Sequence, residues 1–242
     1  MLIGFTRQRG MALTLVIWLL AAISMFVTGV VATHRVESRQ NHAELQRSKA
    51  VVAAEGGLSL AVYEMLQNPD RYIANGQTHP VTLDGVTLAV SVRSEHGKLD
   101  LNFGNLDYFA RFFHVMGTSS EEANALVSQM RMRRDQGEPL QHLEDLLVVT
   151  SMDTALYQRI LPYVTLWGGD GVPAAAFADQ VLSKAIGLPK AQQYNSNPGS
   201  VVSIDVQAIL ADGFTAGLLA TVQITPEDSE AGIFKVLHWQ ER

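Results

Sequence analysis

Two aspartates offer the clearest chance of metal chemistry in this sequence of 242 residues. Asp170 stands in the glycine-rich segment GGDG, and Asp179 follows shortly after it. Ca²⁺ accepts carboxylate and carbonyl oxygens presented by a flexible loop. Glycine and aspartate are also common turn residues, and we favour a plain turn between two helices. The residues leave calcium binding open, and no other cofactor is predicted.

A second cluster consists of the arginines at 131, 133 and 134 in the run MRMRRD. It could form a basic patch, but cations are also favoured near the C-terminal end of a helix. We therefore predict that these side chains lie at the solvated end of a helix. The chain as a whole is acidic, with a formal net charge of −6 at pH 7. Binding to phosphates requires a basic face, so we expect no nucleic-acid partner.

Catalytic motifs are missing from the sequence. The seven histidines are scattered, and none has the HExxH spacing that places two imidazoles on one helical face around a metal. There is no GxSxG nucleophile elbow and no phosphate-binding loop ending in Gly-Lys-Ser/Thr. The chain has no cysteine, which excludes a thiol nucleophile and any disulfide. We therefore expect a protein that is not an enzyme.

The N-terminal region contains an uncharged run from Met11 to Val31. About 20 apolar residues suffice to cross a bilayer as a helix, and the hydrophobic part of a secretory signal has only about 7 to 15. We predict a transmembrane helix over 11–31. The helix is expected to continue as an amphipathic segment over 32–67, because apolar residues recur there at helical spacing. Pro69 would end it.

Strand patterns flank a helical region. The segment VTLDGVTLAVSV alternates around Asp84-Gly85, which predicts a β-hairpin. Leu99 and Leu101 indicate a further short strand. Three alternating segments near the C-terminus, VVSIDV, LLATVQIT and IFKVLHW, predict the remaining strands. We assign 68–103 to the first part of a sheet domain and 191–242 to the strands that complete it.

Residues 104–190 are predicted to form a helical insert. A capping-box pattern at 118–121 opens one helix, and Gly137 and Pro139 close it. A second helix contains Leu146, and a break at Thr150-Ser151 leads to a third. Pro173 is well placed to begin a fourth helix, AAAFADQVLSKAI. The fold class is therefore α+β: a long N-terminal helix packed on a small antiparallel sheet, interrupted by an all-α insert.

Several segments together resemble a known family. Gln8-Arg9-Gly10 before Met11 resembles a prepilin leader, residues 1–10, with its cleavage glycine. The segments KLDLNFGNLDYFARFF, LEDLLVVTSMDTALYQRILPYVTLW and VLSKAIGLP are similar to segments of the K-type minor pseudopilin of the type II secretion system, the general secretion pathway protein K family. The resemblance covers nearly the whole chain in the same order, and it also implies a pilin-like sheet domain.

This resemblance implies how the chain is processed and assembled. Prepilin peptidase would cut between Gly10 and Met11, and the new amine of Met11 would be methylated. The helix would lie in the inner membrane as a single span, with the globular domain in the periplasm. The protein would cap the tip of the pseudopilus with the I- and J-type minor pseudopilins, above the major pseudopilin, and contact secreted proteins.

One position has a direct physical meaning in that setting. Most pilins and pseudopilins carry glutamate at the fifth mature position, where it pairs with the N-terminal amine of a neighbouring subunit. Here that position is Leu15, as the K-type family shows. An unpaired charge in lipid is costly, so a subunit with Leu15 neither needs nor uses this pair.

Two alternatives remain open at this point. A minor pilin of a type IV pilus would share the leader and the helix, although the helical insert argues against it. A signal-anchored periplasmic binding protein or enzyme would need converging titratable groups, which the sequence does not show. The chain also lacks the long acidic insertion that many K-type proteins carry between the arginine cluster and Leu140, which makes their calcium sites doubtful here.

Overall fold

A computed structural model describes residues 9–67, 74–190, 198–225 and 233–242. The chain divides into two compact units, one ending at Lys49 and the other beginning at Ala50. Within the described ranges the helices are α1 (Arg9–Gln67), α2 (Leu106–Val115), α3 (Ser120–Asp135), α4 (Asp145–Thr150), α5 (Thr154–Ile160) and α6 (Gln180–Ile186). The strands are β1 (Asn75–Leu83), β2 (Val86–Ser94), β3 (Leu99–Asp100), β4 (Val164–Thr165), β5 (Val201–Ile209), β6 (Thr215–Ile224) and β7 (Phe234–Glu241).

The predicted long helix is confirmed as one uninterrupted element, α1, which includes Gly10 and ends at Gln67. Among the described residues, no helix has both the length and the apolar character that crossing a bilayer requires. Membrane insertion of 11–31 therefore stays a prediction. Residues 1–8 of the predicted leader, and Pro69, lie outside the described residues.

The main sheet is antiparallel, with strand order β1-β2-β5-β6-β7. Neighbours along the chain are also neighbours in the sheet, except that β2 pairs with β5. The pairing of these two strands ends with Ser94 opposite Val202, and the insert connects them there. The predicted hairpin is confirmed, since β1 and β2 meet around Asp84-Gly85, both with positive φ.

One face of this sheet forms the first hydrophobic core, which we call the sheet core. Alternate residues of the three central strands are buried there, and the second unit's part of α1 packs on them. Gly57 allows this close approach, because a Cβ at that position would lie 2.9 Å from Leu88 Cδ1 and from Val206 Cγ1.

A second hydrophobic core, the insert core, is formed mostly by the insert, together with Leu99 and Leu101 just before it. Its largest buried side chains include Phe109, Phe112 and Phe113, with Leu99 and Ile160 among the others. The α+β class is confirmed, but the insert is not purely helical. Its strand β4 pairs in parallel with β3, which precedes α2.

The helix boundaries in the insert follow their capping residues. Ser119 Oγ accepts the N–H of Glu122, so α3 begins at Ser120, and the cap lies one residue later than a capping box over 118–121 would place it. The prediction that a helix begins at Pro173 is wrong. Asp179 accepts the N–H of Val181 and starts α6 there. The residues before it form turns, in which the N–H of Ala174 donates to the His96 carbonyl.

Candidate functional site

The most unusual surface of the molecule lies on the N-terminal part of α1. Every residue from Leu13 to Val27 is exposed in the chain on its own. Leu15 is 69% exposed, and Trp18 and Phe26 are 76% and 73% exposed. Monomeric soluble proteins rarely expose contiguous apolar surface on this scale, and such surface marks a site of contact with protein or lipid. We call residues 13–27 the exposed apolar segment.

The predicted processing residues lie at the start of α1. Gly10 and Met11 have helical backbone, and the Met11 side chain lies outside what the structure describes. No acidic residue occupies the first turn of the helix. Leu15 presents an apolar side chain, so the exposed apolar segment offers no carboxylate at this position for pairing with an amine. Its chemistry is limited to apolar contact there.

A polar centre, which the sequence analysis missed, organises the insert at the loop after β3. Asp100 is 1% exposed. Its Oδ1 accepts the N–H groups of Asn102 and Phe103, at 2.8 and 2.9 Å. Its Oδ2 accepts the N–H of Gly169 at 2.8 Å. A single buried carboxylate therefore holds two distant loops together, because buried backbone donors must find an acceptor.

Asn102 extends this centre to a third segment. Its amide nitrogen donates to the carbonyl of Leu140 at 3.0 Å, and its Oδ1 accepts the N–H of Leu140 at 2.8 Å. The Asn102 side chain thus provides a hydrogen-bond partner for both the backbone N–H and the backbone carbonyl of Leu140. The only sequence signal was the Leu-Asn pair in the family-like segment, which predicts entry into the insert but no partner.

Arg134 corrects the prediction made for the arginine cluster. Its two terminal nitrogens donate to the carbonyls of Gly104 and Leu101, at 2.7 and 2.8 Å. Its guanidinium lies 5.9 Å from the centroid of the Phe109 ring. Burial lowers the pKa of Arg134, while the charge of Asp100 opposes this shift. Arg134 is therefore a structural clamp, and only Arg131 and Arg133 remain near solvent.

The two aspartates considered for calcium have separate partners. Asp170 Oδ2 lies 3.1 Å from His96 Nδ1. Asp179 caps α6, and its Oδ2 lies 3.9 Å from a terminal nitrogen of Arg93. Across the described ranges, no group of three or more histidine, aspartate or glutamate residues could hold a metal ion.

The chain that leaves β2, just before the insert, is fastened to the face of the sheet opposite the sheet core. Glu95 is fully buried, and its Oε1 accepts hydrogen bonds from Lys98 and from Ser203 of β5. Ser203 Oγ lies 2.9 Å from Thr221 Oγ1 on β6. Side chains alternate between faces along a strand, so Ser203 points away from the sheet core formed by its neighbours. A buried ion pair thus joins the chain leaving β2 to two strands of the sheet.

Comparisons with known proteins identify the fold. No protein-family profile matches the sequence, and no curated protein matches it significantly. Among solved structures, the chain is similar to a chain in the crystal structure of the GspK-GspI-GspJ complex from the enterotoxigenic Escherichia coli type 2 secretion system. The TM-score is 0.57 with 12% sequence identity, covering 84% of this chain and 99% of that chain. The chain therefore has a pseudopilin-like α+β fold.

Proposed function

We propose that the chain is a structural, non-enzymatic minor pseudopilin of a type II secretion system, of the K type, which caps the tip of the pseudopilus. The observation that carries this proposal is the likeness of fold to a chain of a complex of three secretion-system proteins, over nearly all of that chain. The leader-like sequence before Met11 adds independent support.

The exposed apolar segment supplies the means of association. Its exposed apolar side chains lose contact with water when they enter lipid or pack against partner helices, which is favourable by about 25 cal/mol per Å² of apolar area. In this proposal it spans the inner membrane first and then packs in the pseudopilus, with the globular domain in the periplasm. Leu15 leaves it without the carboxylate by which other subunits pair with a neighbouring amine.

The insert supplies the reason for a tip position. It lies between two neighbouring strands and has its own hydrophobic core, so it adds bulk to the sheet domain without disturbing the order of the strands. A body of this size is difficult to stack along the side of a thin filament. At the tip it has room, and there it is placed to meet the I- and J-type minor pseudopilins and secreted proteins.

Processing of the leader is the first test. The chain is co-expressed with prepilin peptidase, and its N-terminus is read by mass spectrometry. We expect a mature chain that begins at methylated Met11. A Gly10→Val variant is the matched control, because a branched side chain replaces the cleavage glycine, and it should keep its leader. An intact leader in the unmodified chain, or cleavage after Ala32, would contradict the proposal.

Partner choice is the second test. The processed chain is co-expressed with I- and J-type minor pseudopilins and, in parallel, with minor pilins of a type IV pilus. We expect co-purification with the pseudopilins as a stoichiometric complex. Capture by the type IV minor pilins alone would instead support the pilus alternative, and capture by neither set would contradict both.

A further inference from the structure

Asn75 and Gly76 form the one asparagine-glycine pair in the sequence. They lie at the beginning of β1, which is an edge strand of the sheet. Asn75 is exposed to solvent. The side-chain amide of an asparagine is vulnerable to attack by the backbone nitrogen of the next residue, and glycine, which has no side chain, obstructs that attack least.

The local backbone keeps this pair out of regular strand pairing. Asn75 is opposite Arg93 and Thr78 is opposite Ser91, so a bulge leaves Gly76 and Gln77 without cross-strand partners in the register. Gly76 has a φ of +83°, a conformation that glycine adopts without strain. A bulge at a sheet edge is a place where the ladder is interrupted, so Gly76 is freer to change conformation than a residue within the ladder.

The Asn75 side chain is also folded along the backbone. Its Oδ1 accepts the N–H of Gln77 at 2.9 Å. This Asx-type turn brings the side chain back along the backbone of residues 75–77. The hydrogen bond polarises the side-chain carbonyl and makes its carbon, Cγ, more electrophilic.

We propose that Asn75 is a site of spontaneous deamidation in the folded protein. A base removes the proton from the Gly76 backbone nitrogen, which then forms a bond to Cγ of Asn75. The side-chain nitrogen leaves as ammonia after taking up a proton, and a five-membered succinimide remains. One water molecule opens the ring at either carbonyl and gives aspartate or isoaspartate. No oxidation or reduction occurs, and water is the only co-reactant.

The product changes the connection between the sheet and the insert. The new carboxylate faces Arg93 across the strand pair, and the Arg93 guanidinium already lies against Gly76, since a Cβ there would be 2.6 Å from Arg93 Nε. Arg93 is also the basic partner of Asp179, which caps α6. A negative charge at position 75 therefore competes with Asp179 for Arg93.

Two other asparagines serve as controls within the same chain. Asn124 is exposed like Asn75, but it lies inside α3 and is followed by Ala125. Asn102 holds both backbone groups of Leu140 with its amide. We expect both to stay intact while Asn75 reacts. The helical backbone prevents the attack at Asn124, and the two hydrogen bonds of the side-chain amide hold Asn102 in place.

The test uses the full chain in detergent micelles, incubated in ¹⁸O-labelled water at neutral and mildly alkaline pH. Tryptic peptides are sequenced by mass spectrometry, and isoaspartate is detected by enzymatic methylation of its carboxylate. We expect labelled aspartate and isoaspartate at position 75, formed at a rate that rises with hydroxide concentration. Asn75→Ser keeps a side-chain acceptor but cannot cyclise, and it should give no product.

Two results would overturn the proposal. One is an unmodified Asn75 in the folded chain under conditions where the excised peptide 72–93 reacts. The other is reaction of Asn124 at the same rate as Asn75. The effect on the insert is measured separately, by hydrogen exchange of α6 in Asn75→Asp against Asn75→Ser. Faster exchange in Asn75→Asp supports competition for Arg93, and equal exchange overturns that step. The proposal is independent of the proposed function.

Discussion

The sheet core and the insert core of the second unit are held together in different ways. In the sheet, long strands carry small aliphatic side chains, and backbone ladders satisfy the polar groups. In the insert, helices of six to sixteen residues surround three phenylalanines, and the loops between them depend on polar side chains that are buried or half-buried. Asp100, Asn102 and Arg134 complete backbone groups that no ladder reaches.

This difference predicts how each region responds to substitution. A substitution in the sheet leaves the hydrogen bonds of the backbone ladder in place, and what it costs is the packing of the buried side chain. The insert concentrates its order in a few side chains, and the loss of one of them leaves buried groups without partners. We therefore expect single substitutions to unfold the insert while the sheet persists.

The largest effect is expected from Phe109→Ala. Phe109 is fully buried between Phe113 and the Arg134 guanidinium. Truncating a buried phenylalanine costs about 3 to 5 kcal/mol. Hydrogen exchange should show lost protection across α2 and α3, with β5 and β6 still protected. Val148→Ala is the control, since Val148 is 83% exposed. Equal loss of protection in the sheet would contradict the division into two cores.

A smaller effect is expected from Arg134→Ala. The substitution leaves the carbonyls of Leu101 and Gly104 without their charged donor, and such hydrogen bonds contribute about 1.5 to 3 kcal/mol. Arg133→Ala is the matched control, because Arg133 makes only a partly exposed ion pair with Glu138, and such pairs contribute about 0 to 1 kcal/mol. Denaturant unfolding followed at the insert should show a larger loss of stability for Arg134→Ala than for Arg133→Ala. Equal losses would mean that Arg134 is no clamp.

High pH should destabilise the insert core more than the sheet core, without any substitution. Burial, with a smaller contribution from the charge of Glu144, raises the pKa of Tyr157 from 10.0 to about 12. Between these values the unfolded chain has lost the phenol proton while the folded chain keeps it, so stability falls as the pH rises through this window. The decline should be seen at the insert, by thermal unfolding at successive pH values.

Tyr157→Phe is the control for that pH dependence. The Tyr157 hydroxyl is buried and has no partner among the described residues, so its removal should cost little at neutral pH. The stability of the variant's insert should fall less between pH 10 and 12 than that of the unmodified chain. An unchanged decline would show that other groups cause it.

The smallest effect is expected in the sheet core, from Gly57→Ala. The added methyl group meets Leu88 and the stiff Val206 at 2.9 Å, and overpacking of this kind costs about 1 to 3 kcal/mol. The gain in helix propensity offsets about 1 kcal/mol of this. Gly56→Ala meets only the flexible end of Leu83, so it should be nearly neutral. Thermal unfolding of both variants tests this order, and a more damaging Gly56→Ala would contradict it.

Much of the sheet could be predicted because its signals are local. Asp84-Gly85 fixes a tight turn, and alternating apolar residues give the strands on either side. The helix α3 was equally accessible, since Ser119 caps it within one turn. The start of α6 could not be predicted in this way, because Pro173 offers as good a local signal as the true cap, Asp179. The turn at Ala174 depends on the carbonyl of His96, which is distant in the sequence.

The sequence alone determined the long N-terminal helix, the strands of the main sheet, the existence of a helical insert and the absence of cysteine, since each depends on residue type and short-range period. Only the tertiary structure decided what the polar side chains do. The sequence pattern predicts that Arg134 lies at a solvated helix end, but it is a half-buried clamp on two carbonyls, and Asp170 pairs with His96. The reason is physical: a polar side chain takes its role from the partner that folding brings within hydrogen-bond distance, and no local pattern specifies that partner.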